Sequence, residues 1–171
     1  SSLNGKKLSA TYSNTFDNAS TNDVAGNDNL LRAVGAEAAA HVDYNEIDGN
    51  DNQLLATSTA AGAIANVNSN EIRGNDNELS ATSNTAGATA QVLENTIQGD
   101  DNTLTATATD IGSTASIDDN LINGMNNDLT ATATGGGTAQ IFENEITGNN
   151  NSMTATADGA GSVARIDPNI N

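Results

Sequence analysis

Nearly every side chain in this sequence that could do chemistry is a carboxylate. Twenty-two Asp and Glu stand against five Lys and Arg and a single histidine, and the formal net charge is -17 over 171 residues. Four of the acids recur in one phrase: Asp28, Asp51 and Asp76 are the third letter of "GNDN", and Asp101 is the third letter of "GDDN". If these four stack at a strand spacing of ~4.8 Å, neighbouring charges repel by roughly 0.9 kcal/mol even in bulk water. Calcium, which prefers carboxylate and carbonyl oxygens, would relieve that repulsion, and so would carboxylates splayed outward into salt solution. Calcium at Asp28, Asp51, Asp76 and Asp101 is therefore one expectation, with solvated acids as the other.

Other chemistries find little material. His41 is the only imidazole and there is no cysteine, so a nucleophile–histidine pair would have to use His41, in the least regular repeat; a surface or packing role is expected. The acids recur with the repeat, as scaffold positions do, so no active site, no enzyme and no cofactor beyond calcium are expected. Without a basic stripe to neutralise phosphates, nucleic acid is not an expected partner. No apolar run approaches the ~20 residues that span a bilayer, so membrane insertion is not expected either. The opening "SSLNGKKLSATYSN" lacks the apolar centre of a signal peptide. An extracellular or cell-surface location after removal of a leader is the expectation, in keeping with an acidic, Asn/Thr-rich, Lys-poor surface.

What must position these residues is a repeat. Aligned on the phrase, units begin at Asn45, Asn70, Asn95, Asn120 and Asn144, three steps of 25 residues and one of 24, with an earlier copy of 23 residues from Asn22. Residues 1–21 read as an irregular partial coil or arm, 22–167 as six coils, and 168–171, "PNIN", as the start of a further coil. Within a unit the apolar letters alternate, the period of a strand. Leu104, Ala106 and Ala108 fall on one face and Thr103, Thr105, Thr107 and Thr109 on the other. A second strand turns Ala115 and Ile117 inward, and a third inward site, Ile47, Ile72, Ile97, Ile122 or Ile146, precedes each recurring Gly by two residues. The fold class is all-β: a β-solenoid of ~25-residue coils with two or three short strands per coil, stacked in register.

In-register stacking turns a repeated position into a ladder along the axis. Asn29, Asn52, Asn77, Asn102, Asn127 and Asn151 form one expected ladder, and Asn45, Asn70, Asn95, Asn120 and Asn144, with Asn22 before and Asn169 after, form another. Gly26, Gly49, Gly74, Gly99, Gly124 and Gly148 fit a bend where a Cβ would clash or φ is positive. The two letters between Gly and Asn vary because they are expected to point outward.

The pattern Ile-x-Gly-x-x-Asn-x-Leu-x-Ala, as in "IRGNDNELSA" and "IQGDDNTLTA", resembles the Gly-x-x-Asn-x-Ala core of curlin repeats, the subunits of curli-type amyloid fibres. The resemblance runs over residues 22 to 171. It implies an extracellular, fibre-forming β-solenoid, a structural subunit of a filament or biofilm matrix whose partners are further copies of itself, head to tail, and other matrix components or surfaces. The ends would carry the assembly: Pro168, Asn169, Ile170 and Asn171 of one subunit against Ser1, Ser2, Leu3, Lys6 and Lys7 of the next, with the lysines facing Asp167 and the terminal carboxylate. Lys6 and Lys7 equally fit gatekeepers that keep an edge soluble. Two further readings stay open. "GNDNQL" resembles the Gly-x-Asp-x-Leu calcium repeats of secreted adhesins and toxins, which would make the chain a calcium-stabilised adhesin module. The outward column Thr57, Thr82, Thr107, Thr132 and Thr156, flanked by Thr105, Thr130 and Thr154, would suit an ice surface, or simply an exposed strand.

Overall fold

Alternating apolar residues with turn residues at fixed intervals leave the chain one economical solution, and the backbone takes it. The computed structural model describes residues 7–10, 16–18, 22–35 and 39–167, the first two segments by their backbone. Three parallel sheets run along one axis. The first has seven strands in axial order: β1 (Lys7–Ala10), β4 (Leu30–Gly35), β7 (Gln53–Ser58), β10 (Glu78–Ser83), β13 (Thr103–Ala108), β16 (Asp128–Ala133) and β19 (Ser152–Ala157). The second also has seven: β2 (Phe16–Asn18), β5 (Ala39–Asp43), β8 (Ile64–Asn68), β11 (Thr89–Leu93), β14 (Thr114–Asp118), β17 (Thr138–Phe142) and β20 (Val163–Ile166). The third is narrow, with β3 (Asp23–Ala25), β6 (Glu46–Asp48), β9 (Glu71–Arg73), β12 (Thr96–Gln98), β15 (Leu121–Asn123) and β18 (Glu145–Thr147). Each coil therefore carries three strands, and the chain is a β-solenoid of about six ~25-residue coils.

Register is strict. Leu79 lies opposite Leu54 and Leu104, Val92 opposite Val67 and Ile117, and Ile97 opposite Ile72 and Ile122. One coil buries Ile97, Leu104, Ala106, Ala108, Ala115 and Ile117 completely. With one Leu and two Ile or Val of this kind per coil, each worth ~1.5–3 kcal/mol of burial, a thin core repeated along the axis replaces the single thick core of a globular domain.

Two corners and one arch close each coil. The first corner is the recurring Gly-x-x-Asn. A Cβ on Gly99 would stand 2.0 Å from the carbonyl oxygen of Gly74 below it, and one on Gly124 1.9 Å from that of Gly99. No side chain fits in that column, whose φ values run from 110° at Gly26 to 159° at Gly124. The second corner ends in the other Asn. At both corners the residue before the Asn is left-handed, with φ 57° at Asp76 and 55° at Glu94, so one local device, a left-handed residue then a buried Asn, turns the chain twice per coil.

The arch joins the first sheet to the second, and there the coils differ in length. From Ala108 to Thr114 is six residues and from Ala133 to Thr138 five, although the flanking strands stay in register. From Gly35 to Ala39 is four, against six from Ser58 to Ile64. The short arch at 134–137 is made of Gly135, at φ 72°, Gly136, at φ 88°, and Gly137, whose Cβ would lie 3.1 Å from that of Ala133.

Candidate functional site

The repeated polar residues are the inside of this molecule, and their geometry sets what the coil faces can do. Asn29, Asn52, Asn77, Asn102 and Asn127 are at most 1% exposed, and Asn45, Asn70, Asn95, Asn120 and Asn144 at most 2%. As far as Asn127 in the first ladder and Asn120 in the second, each donates upward to the next coil. Asn70 gives its backbone N–H and its Nδ2 to Asn95 Oδ1 at 3.0 and 2.9 Å, and Asn95 repeats the pair to Asn120 Oδ1 at 3.0 and 3.0 Å. The second Nδ2 proton of Asn95 goes to the Val67 carbonyl at 3.0 Å. The carboxamide is thus saturated: two bonds accepted on Oδ1, two donated from Nδ2. The other ladder repeats the upward bonds, from Asn77 to Asn102 at 2.9 and 3.1 Å and from Asn102 to Asn127 at 2.9 and 3.1 Å, and reaches Asn151. An Asn buried without this partner above and below would cost what an unpaired polar group costs, about 1–3 kcal/mol per orphaned atom.

Between Gly and Asn, sequence reasoning treated both letters as outward and free. They do point outward, but each has a task. The first letter forms a third ladder: Asn50 N–H donates to Asn27 Oδ1 at 2.9 Å, Asn75 to Asn50 at 2.8 Å, Asp100 to Asn75 at 2.8 Å and Met125 to Asp100 at 2.7 Å. Its bonds run downward, opposite to the inner ladders, and use only the acceptor oxygen, so Asp100 serves as well as Asn. The second letter is left-handed in every copy: Asp28, Asp51, Asp76, Asp101, Asn126 and Asn150 have φ between 57° and 60°. Asn and Asp tolerate that region better than other side chains, which accounts for an Asp column that gives way only to Asn. The signal was in the sequence, where Asp alternates with Asn and with nothing else.

Among the described residues, the carboxylates brought together as a group of three lie elsewhere. Asp118, Asp119 and Glu143 place one oxygen each within 4.8 Å of one another at the second corner. Asp118 stands in the second sheet between Leu93 and Phe142, and its Oδ1 is buried without a hydrogen bond. Desolvation by these neighbours, then the charges of Asp119 and Glu143, push its pKa up to about 6. On the third sheet Arg73 answers three acids, Glu46 at 2.7 Å, Asp48 at 3.6 Å and its own strand's Glu71, so stacked Glu46 and Glu71 share a cation. His41 lies on the outer face of β5, 3.4 Å from Asp43.

The last described coil differs from those beneath it. Leu129, Ala131, Ala133, Ala139 and Ile141 are fully buried, whereas the residues above them change class: Met153, Ala155 and Ala157 are only partly buried, Ala164 is exposed and Ile166 is 47% exposed. No described strand pairs with the outer edges of β18, β19 and β20. Of the residues expected to carry assembly, Ser1, Ser2, Leu3, Lys6, Pro168, Asn169, Ile170 and Asn171 lie outside the described residues, as does the Lys7 side chain. No described helix is long and apolar enough to cross a membrane. Comparison of the chain with protein-family models, with curated proteins and with solved structures finds no match.

Proposed function

We propose that this chain is a structural subunit of an extracellular filament or matrix fibre, curli-like in its logic, that grows by adding coil upon coil at open solenoid ends. The observation that carries the reading is that every step between described coils is the same contact, parallel strands in strict register with stacked Asn ladders. The last described coil, 145–167, presents part-covered Met153, Ala155 and Ala157 and exposed Ile166, each matching in type a position that is sealed in the coil below. A coil of like sequence arriving from above would bury those side chains and pair the strand edges.

The polarity of the axis supports head-to-tail addition. All strands are parallel, and both inner Asn ladders donate toward the C-terminal end, so one end of any such stack offers Asn donors and the other Asn acceptors. Two identical ends cannot satisfy each other; unlike ends can, and the resulting contact does not close. Proline and inward charge, which blunt such edges, do not interrupt β18, β19 or β20.

The test is seeded elongation with a blocked end. Ala155→Asp combined with Ile166→Lys puts charge on the face of the last described coil, at inward positions that are part-exposed there and sealed in the coils below; circular dichroism checks that the coils below stay folded. Elongation of wild-type seeds by wild-type chain, and failure of the doubly substituted chain to support further growth, is the expected result. Equal growth rates would remove the reading. Running both with and without millimolar calcium separates it from a metal-stapled adhesin module, for which growth or order would appear only with the ion.

A further inference from the structure

We propose that the outer face of the first sheet, at Thr105, Thr107, Thr130, Thr132, Thr154 and Thr156, binds ice. The face is a grid in two directions. Along the axis, Thr82, Thr107, Thr132 and Thr156 stand opposite one another in consecutive strands, as do Thr105, Thr130 and Thr154. Along each strand the two columns are two residues apart. The grid therefore repeats at about 4.7–4.9 Å in one direction and about 6.6–6.8 Å in the other. A macromolecular partner with an irregular surface would select individual residues; a crystalline surface, repeating in both directions, meets alike the three coils that carry both threonines.

Three further observations fit water as the occupant. No hydroxyl of these six threonines makes a hydrogen bond within the protein, so each is available to an ordered water. Threonine is β-branched, its rotamer restricted on a strand, so the methyl and hydroxyl positions of the grid are already fixed before binding. From the second coil upward the two columns hold only Leu55, Ser80, Thr57, Thr82 and the six threonines; Arg32 and Val34 stand below them in the first coil, and Glu78 and Asp128 lie two residues along the same face. The rival occupant is a second copy laid face to face, and sideways bundling of filaments separates it from ice.

Freezing hysteresis and ice-crystal habit of the full chain, measured beside the double variant Thr107→Tyr/Thr132→Tyr, test the proposal. A matched control, Gln91→Tyr/Gln140→Tyr, places the same bulk on the outer face of the second sheet. The expected result is hysteresis and faceted crystals for the wild type and the control, and loss to the level of buffer for the threonine variant, with circular dichroism and filament growth unchanged in all three. Absence of hysteresis in the wild type, or its survival in the threonine variant, overturns the assignment. Loss of sideways bundling of filaments in the threonine variant, with no effect on ice, would make the face a contact between copies and likewise overturn it.

Discussion

The side chain of an inner asparagine in this solenoid both gives and takes, whereas that of an outer one only takes. Asn77 accepts from Asn52 and donates twice to Asn102; Asn75 lends a single oxygen to the Asp100 N–H. Asn77→Asp keeps the oxygen but loses the Nδ2 donor and buries a charge, and should cost about 3–5 kcal/mol at neutral pH, read from urea midpoints. Asn75→Asp should stay within about 0.5 kcal/mol. Equal costs for the two would mean that the ladders differ less than their hydrogen bonds imply. A similar contrast applies to glycine. Gly99→Ala drives a Cβ into the Gly74 carbonyl and should cost at least about 2 kcal/mol. Gly87→Ala, where φ is 66° and nothing lies within 4 Å, should cost only the left-handed penalty of about 1 kcal/mol. Asp118 supplies a pH dependence. Its folded pKa of about 6 lies above the 3.8 of an unperturbed Asp, so its carboxylate costs nothing below about 3.8, weakens the fold progressively as pH rises through 6, and costs most above that. Asp118→Asn should therefore stabilise the chain at pH 7 by about 1 kcal/mol, after allowance for its solvated part, and should make no difference near pH 3. A variant that tracks the wild type at both pH values would contradict the burial argument.

At the scale of the element, the coil is the unit that folds, and its length is elastic only at the arch. Deleting residues 70–94 joins Ser69 to Asn95 and removes one whole coil; the product should keep a β-rich spectrum, with its urea m-value reduced by about a sixth. Deleting 70–81 puts strand upon corner and should abolish cooperative folding. The alternation in "TLTATAT" and the spacing of Asn45, Asn70 and Asn95 made strands, register and inner ladders legible before any coordinates, because in a solenoid the sequence period is also the spatial neighbour relation. Other features were hidden by the same regularity. The outer ladder was missed because its acceptor changes from Asn to Asp and ends at Met125, which reads as drift; an oxygen acceptor, not a residue type, is what the position keeps. The third strand was undecided because three residues such as "TIQ" hold a single inward side chain and cannot show alternation. The left-handed Tyr44 and Glu94 were invisible, since they lack the Asn or Gly that marks such a backbone. Tyr44→Asn should raise stability by about 0.5–1 kcal/mol by relieving that strain.

Taken whole, the molecule is a polar column whose internal interfaces are all copies of one interface. Burial of Leu, Ile and Ala between coils, the Asn ladders and the close Gly column act at every step, so the contact that would join two chains is the contact that holds one chain together. On the proposed reading, that identity lets an open coil face take up another chain, and the Thr columns would lengthen with the resulting fibre. Electron cryomicroscopy of the purified chain at neutral pH decides whether chains join as coils do. The account predicts unbranched polar filaments one solenoid wide, with an axial layer line near about 4.8 Å and coil density running unbroken across subunit boundaries. Dispersed single solenoids at every concentration tried, or filaments whose subunits meet side to side with the coil ends left uncovered, would contradict it.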